Sequence, residues 1–178
     1  MTNKFTPFPK IARWSRSVII TEKLDGTNAC VWIGKNGDFR TASRSRWITP
    51  QDDNYGFSQW AHENKEDLLS LGVGGHSGEW WGHGIQRGYN QTHKKFSLFN
   101  TSKWNANKPE CCDVVPTLYQ GILNETIIHT IIEKLRSEGS KAAPGFMDPE
   151  GIVIWHEASR TYFKKTLKND EAPKGKYV

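Results

Sequence analysis

Cysteine is scarce in this 178-residue sequence, and the cysteines are not spaced as in a disulfide framework or a zinc site. Three cysteines occur, Cys30 and the adjacent pair Cys111 and Cys112. An odd number without a C-x-x-C pattern indicates neither a disulfide framework nor a zinc site. The sequence therefore fits a reducing compartment.

Long apolar runs are absent as well. The N-terminal stretch MTNKFTPFPK lacks the apolar segment of a signal peptide, and no run approaches the ~20 apolar residues of a membrane helix. We therefore expect no membrane association and a cytoplasmic location, which for a phage protein would be the host cytoplasm.

Two common signatures of ligand sites are also missing. The glycine-rich stretch GVGGHSG matches neither a P-loop nor a dinucleotide fingerprint, and it is interpreted as a turn leading to Glu79. His76, His83 and His93 have no metal-ligand spacing, so surface or loop positions are predicted for them.

What the sequence does contain is positive charge and tryptophan. Its formal net charge is +5, its isoelectric point is about 9.1, and it has eight tryptophans. This composition suits a polyanionic partner with stacking contacts, although tryptophans that only fill a core would give the same count. The length predicts one domain over residues 1–178, with no appended C-terminal domain.

The pattern along the chain predicts an α+β fold with few helices. Asp25-Gly26 is a hairpin signal, so strands at 15–24 and 29–34 are expected to pair and to continue into a third strand at 39–44. Helices are predicted at 57–72 and after Asn124, where a cap, an isoleucine-rich face and Gly139 follow in order. A final hairpin is predicted over 151–168.

The stretch TEKLDGTNA, at 21–29, holds the most informative lysine. In a strand, Lys23 and Asp25 share one face. Lysine becomes a nucleophile only when its pKa falls from ~10.4, through burial or a second cation. Gly26 would allow a ligand close to the backbone, and Asn28 offers an amide to a ribose or phosphate. Taken alone, the stretch also fits an exposed lysine before a turn.

Six elements occur in the order found in a known superfamily. EKLDGTN resembles the nucleophile motif of the covalent nucleotidyltransferases, which include ATP-dependent DNA and RNA ligases and capping enzymes. ASRSR, GEW, FSLFN, PEGIVI and YFKKTLK resemble the motifs that follow it. Glu22 directly before Lys23, with Thr27 and Asn28 after it, is most similar to the RNA ligase 2-like branch.

This resemblance implies a nucleotidyltransferase fold with antiparallel sheets flanking an ATP cleft. It implies that Lys23 attacks the ATP α-phosphate and forms lysyl-AMP. Glu79 would then hold the ribose hydroxyls, Phe99 would stack on adenine, and Glu22 would lie near the base. Phe96 is the less favoured stacking residue.

The remaining roles concern phosphate and metal. By the same resemblance, Arg44 would bind a phosphate, with Arg46 as a substitute, and Glu150 would hold Mg²⁺ or Mn²⁺. Lys164 would contact the α-phosphate and help to keep Lys23 neutral.

The last motif departs from the family pattern of K-x-K. Thr166 stands where the second lysine is expected, so that contact is either lost or supplied by Lys165, Lys168 or Lys174. The same sequence is also typical of an exposed edge strand, where lysine is common.

The function that the resemblance implies is joining of RNA 3′-OH and 5′-phosphate ends through lysyl-AMP and an adenylylated RNA end, as in RNA repair. Its substrates would be RNA ends or nicks, with DNA as an alternative, and a partner protein would help to hold them. Two other functions remain open, a minimal DNA ligase and a non-catalytic nucleic-acid-binding module of the same fold. Against the second stands the joint presence of Lys23, Glu79, Glu150 and Lys164.

Overall fold

Two β-sheets and three α-helices make up the part of the chain that the structure describes, residues 5–172 of a computed structural model. In chain order the elements are β1 Ser17–Lys23, β2 Thr27–Ile33, β3 Phe39–Ser43, β4 Trp47–Ile48, α1 Phe57–Glu63, α2 Lys65–Leu69, β5 Gly74–Gly82, β6 Lys94–Leu98, β7 Cys112–Val114, β8 Thr117–Ile122, α3 Glu125–Glu138, β9 Gly151–His156 and β10 Thr161–Thr166.

The smaller sheet has four strands in the order β10-β9-β1-β8, and every neighbouring pair is antiparallel. The larger sheet has six strands in the order β4-β3-β2-β5-β6-β7, with a parallel pair at β6 and β7. The predicted α+β class is therefore confirmed.

The predicted hairpin between the first two strands is wrong. β1 pairs with β8 and β9, whereas β2 pairs with β3 and β5, so the chain changes sheets between Lys23 and Thr27. The reason lies in contacts outside the segment. The Asp25 N–H donates to Tyr89 Oη at 2.9 Å, and the Gly26 N–H donates to Glu79 Oε1 at 3.1 Å. These two bonds hold residues 25 and 26 as a connection between the two sheets instead of a tight hairpin turn.

The glycine-rich segment is not the turn that the sequence suggested. From Gly74 onwards it forms the first part of β5, which lies between β2 and β6 in the middle of the larger sheet. Glycine is needed there because neighbouring strands come very close: a Cβ on Gly78 would lie 2.4 Å from the Ser97 carbonyl oxygen.

Helix α3 has the ends that the sequence predicted. The Asn124 side chain accepts a hydrogen bond from the Ile127 N–H at 2.9 Å, and Gly139 follows with a φ of 81°. Ile131, Ile132 and Leu135 bury one face of α3 against the four-stranded sheet. The other long helix predicted, at 57–72, is instead the pair α1 and α2, which meet at Asn64.

A separate core supports the larger sheet. Phe57 and Ala61 of α1 pack with Trp80 and Phe96 of β5 and β6, all of them buried. The helices of residues 5–172 include none long and apolar enough to cross a bilayer. Each sheet therefore packs against helices on one face, and its opposite face is available to line a binding site.

Candidate active site

A cleft of about 750 Å³ lies between the two sheets. One side consists of alternate residues of β1, β9 and β10, namely Ile19, Thr21, Lys23, Val153, Trp155 and Tyr162. The other side consists of Asn28, Gly75, Ser77 and Glu79 from β2 and β5, and of residues 99–102. The sheet change after Lys23 therefore places motifs from both sheets around one space.

Lys23 is held at one end of this cleft by an ion pair. Its Nζ donates to Glu150 Oε2 at 2.6 Å, and the side chains are 20% and 7% exposed. The pair forms because Lys23 lies opposite Gly151 in the β1–β9 ladder. A Cβ on Gly151 would lie 2.2 Å from the Lys165 carbonyl oxygen, so glycine is needed there. The Lys23 side chain is therefore held in a defined position within the cleft.

Glu79 and Asn28 are direct neighbours in the β2–β5 ladder, and both line the cleft. Glu79 is oriented by the bond that its Oε1 accepts from the Gly26 N–H. A carboxylate in this position, one strand connection away from Lys23, is suited to accept hydrogen bonds from sugar hydroxyls.

Phe99 lies in the cleft and Phe96 does not. Phe99 follows β6, its N–H donates to the Ser77 carbonyl at 3.0 Å, and its ring packs against a cluster that contains Leu24 and Val115. Phe96 is fully buried in the core behind the larger sheet. Of the two rings, Phe99 is therefore the one that a ligand in the cleft can contact.

Glu22 faces away from Lys23 and is almost fully buried, at 1% exposure. Its Oε1 accepts from Ser140 Oγ at 2.6 Å, and its Oε2 accepts from the N–H groups of Lys141 and Ala142 at 2.8 and 3.0 Å. Burial raises the pKa of the Glu22 carboxyl above its ordinary value of 4.5, and these three donors oppose the rise. The carboxylate thus fixes the loop after α3, whose Ala142 and Ala143 pack in the same cluster as Phe99.

The lysines of β10 lie on opposite faces of the smaller sheet. Lys164 is opposite Val153 in the β9–β10 ladder, on the face of Tyr162 and the cleft. Lys165 is on the other face, where its Nζ lies 3.1 Å from Asp170 Oδ2. The structure therefore brings Lys164 to the cleft side and places Lys165 away from it. Thr166 continues the cleft-side row, opposite Gly151, and Lys174 lies outside the described residues.

Arg44 is exposed just past the end of β3. The β2–β3 ladder ends where Ser43 pairs with Ala29, and Arg44 begins the turn that leads to β4. Arg46 is instead engaged by Asp52, with Nη1 2.5 Å from Oδ2. Of the two arginines, Arg46 is therefore the one held by a carboxylate.

One group of charged residues was not found from the sequence. Arg87 Nε lies 2.9 Å from Asp25 Oδ2, and its Nη1 lies 3.1 Å from Asp148 Oδ2. Arg87 also donates to the Asp148 carbonyl oxygen at 2.8 Å. It thus ties the turn after Lys23 to the segment before Glu150. The only hint in the sequence was that Asp25, beside a strand end, would need a counter-ion if buried.

The acidic residues fit a phosphate-bound metal better than a metal held by protein alone. Within residues 5–172, no three His, Cys, Asp or Glu side chains cluster as metal ligands. Mg²⁺ usually binds through one or two carboxylates, together with substrate phosphates and waters. The Glu150 carboxylate beside Lys23 meets that requirement.

The fold is found in solved structures of RNA ligases. A Naegleria gruberi RNA ligase with PPi superposes with a TM-score of 0.60 and 22% identity, over 85% of this chain and 50% of that chain. A mutant of a Naegleria gruberi RNA ligase with ATP and Mn gives 0.62 and 21%, over 87% and 51%. The chain thus spans about half the length of these ligases.

The sequence match is to the same class. A family model described as RNA ligase matches residues 16–170, and the chain belongs to this family. The comparison with curated proteins gave no match. The resemblance inferred from the motifs is confirmed.

The Glu22 network gives a pH prediction. Above pH 4.5 the unfolded chain loses the Glu22 proton first, because the folded-state pKa is raised. The folded protein then holds more protons, and the free energy of unfolding falls as pH rises towards the folded-state pKa. Glu22→Gln should remove this decline, and denaturant unfolding across a pH series would measure it. The exposed Glu157→Gln is the control, and equal pH slopes for wild type and Glu22→Gln would contradict the prediction.

Proposed function

We propose that this chain is the adenylylating part of an ATP-dependent RNA ligase, in which Lys23 accepts AMP from ATP. The observation that carries the proposal is the Lys23–Glu150 ion pair, at one end of a cleft that also contains Glu79 and Phe99. A binding module without chemistry would have no use for Lys23, Glu79, Glu150 and Lys164 as a set.

The arrangement supports one placement of ATP. Adenine stacks on Phe99, the ribose hydroxyls meet Glu79, and the α-phosphate reaches Lys23, with Asn28 as a further donor to ribose or phosphate. Lys164 approaches the phosphates from β10, and Arg44 approaches from the end of β3. Glu22, which also lines the cleft, would lie near the base and would hold the loop beside Phe99.

The proposed step is a displacement at phosphorus. The Lys23 ammonium first gives one proton to solvent, and its Nζ then forms a bond to the α-phosphorus while the bond from phosphorus to the pyrophosphate oxygen breaks. Pyrophosphate leaves with that electron pair, and a second proton passes from Nζ to solvent, which leaves a phosphoramidate. Glu150 orients Nζ through its 2.6 Å hydrogen bond. Lys164 stabilises the charge that develops on the phosphate oxygens.

A divalent ion, Mg²⁺ or Mn²⁺, would neutralise phosphate charge when bound. Glu150 is the residue proposed to hold it.

RNA is the proposed nucleic acid. The family match and the arrangement of Glu22, Lys23 and Thr27-Asn28 support it. AMP would pass from Lys23 to an RNA 5′-phosphate, and a 3′-OH would then displace it. A DNA ligase of minimal type remains the alternative, and parallel ligation assays on RNA and DNA nicks would separate the two.

The first prediction concerns the nucleophile. Incubation with labelled ATP and Mg²⁺ or Mn²⁺ should leave one acid-labile AMP on the protein, detected on a denaturing gel. Lys23→Ala and Lys23→Arg should both abolish it, although arginine keeps a cation beside Glu150. Labelling of either variant at the wild-type level would show that another residue is the nucleophile.

The second prediction separates the two neighbouring lysines of β10. Lys164→Ala should slow enzyme adenylylation by on the order of 10²-fold, as expected for a lost transition-state contact. Lys165→Ala should change the rate little, because its side chain lies on the opposite face, with Asp170. Single-turnover rates would measure both. A larger effect of Lys165→Ala would reverse the assignment.

The third prediction concerns base stacking. Phe99→Ala should weaken ATP binding by about 1–3 kcal/mol, and Phe99→Tyr should retain most of it. Phe96→Ala is the matched control, which should instead lower the free energy of unfolding by about 3–5 kcal/mol. Calorimetric titration and denaturant unfolding would measure the two effects. Loss of ATP affinity by a folded Phe96→Ala protein, with none for Phe99→Ala, would refute the placement of adenine.

A further inference from the structure

The sheet face that carries Asn28 and Glu79 continues well beyond the nucleotide site. Along β2 the same face next presents Cys30, which is opposite Ser77, and then Trp32, which is opposite Gly75. Because Trp32 is four positions after Asn28, the face extends about 14 Å from Asn28 to Trp32 at the usual strand rise.

An exposed aromatic and arginine cluster lies at the far end of this face. The rings of Trp32 and Trp47 meet edge to face, with centroids 6.3 Å apart. Arg40 Cζ lies 5.8 Å from each ring centroid. Trp47 is 55% exposed. We call Trp32, Arg40 and Trp47 the tryptophan–arginine platform.

Small side chains keep the path from the cleft to the platform open. The positions between Asn28 and the platform on this face are Cys30, Ala42 and Ser77, and Gly75 lies opposite Trp32. At Gly75, even a Cβ would only just touch Trp32, at 3.7 Å from its Cδ1. The path is therefore a shallow groove, with the nucleotide site at one end and the Trp32 and Trp47 rings at the other.

The charge along this groove suits a polyanion. Arg40 belongs to the platform, and the exposed Arg44 follows directly after β3. Arg40 has a carboxylate neighbour, since its Nη2 lies 3.7 Å from Asp38 Oδ2, but both side chains are more than half exposed. An exposed ion pair of this kind is weak and leaves the guanidinium available.

We propose that the tryptophan–arginine platform stacks nucleobases of a single-stranded RNA segment next to the end that is being adenylylated. This rests on the proposed function, because it assigns the substrate strand to the groove that leaves the nucleotide site. Proteins that bind single strands combine basic grooves with aromatic faces, and arginine adds a cation–π contribution. Base stacking needs no particular sequence, so the platform would hold many RNA ends.

The test compares RNA binding and enzyme adenylylation in the same variants. Trp47→Ala should weaken binding of a fluorescent single-stranded RNA roughly 10-fold or more, by anisotropy at fixed salt, and Trp47→Phe should retain most of the affinity. Arg40→Ala should also weaken binding. Arg136→Ala is the matched control, because Arg136 is an equally exposed arginine with a carboxylate partner, on α3. All four variants should form enzyme-AMP at the wild-type rate.

RNA length gives a second measurement that a merely structural role would not affect. A 5′-phosphorylated dinucleotide is too short to reach the platform, so its adenylylation should be insensitive to Trp47→Ala. A longer RNA should lose affinity. Equal losses for both lengths would overturn the inference, as would equal losses for Trp47→Ala and Arg136→Ala, or binding of duplex RNA only.

Other occupants would give different results. Self-association of the wild-type chain that Trp47→Ala removes, without any change in RNA affinity, would assign the platform to a second copy and overturn the inference. Equal affinity for single-stranded DNA would keep the stacking role and show that the 2′-OH is not read there. Failure of Lys23 adenylylation would overturn the proposed function alone, since RNA affinity is measured without ATP.

Discussion

The close passage of Gly26 against the Trp80 backbone is the constraint on which this site depends. A Cβ at Gly26 would lie 2.3 Å from the Trp80 carbonyl oxygen, so no other residue fits without displacing β5. At this point the chain leaves the four-stranded sheet and enters the six-stranded one. The crossing brings Lys23 on one sheet and Glu79 on the other to the same cleft. It also makes Lys23, the proposed nucleophile, the last residue of a paired strand.

Buried charge around the crossing is balanced at each position. Lys23 is paired with Glu150, Asp25 with Arg87, and the Glu22 carboxylate with three donors. Because an unpaired buried charge is costly, each pair also fixes the segments that supply it. Arg87 joins the crossing to the segment before Glu150, and Glu22 joins β1 to the loop beside Phe99. The cleft is therefore surrounded by parts of the chain that were distant in sequence.

Local sequence patterns correctly predicted the elements whose stabilising residues all lie within one short segment. Helix α3 is such a case, because Asn124, the apolar face and Gly139 are all within one segment. The β9–β10 hairpin is another. The Asp25-Gly26 hairpin failed because the partners of that turn, Tyr89 and Glu79, are far away in sequence. The glycine-rich first part of β5, at 74–78, was predicted as a turn, because the need for glycine came from neighbouring strands.

The same distinction applies to the candidate site residues, because some were recognisable from local motifs and others depend on contacts between distant segments. The motifs identified Lys23, Glu79 and Phe99, which the structure brings to one cleft. They could not tell Lys164 from Lys165, because adjacent lysines differ only in the face of the sheet, and that is set by the register with β9. Nor could they identify Arg87, since its role is defined entirely by two carboxylates that the fold brings to it.

Because side chains alternate between the two faces of β10, insertions and deletions in this part of the chain are restricted. The turn between β9 and β10 is exposed at several positions, where insertions are usually tolerated. Here a shift of pairing by one residue would send Lys164 to the helix side and bring Lys165 to the cleft. Shifts by two would preserve the face and move the lysine along the groove. Length variation in related sequences should therefore be absorbed within the turn itself, or occur in steps of two.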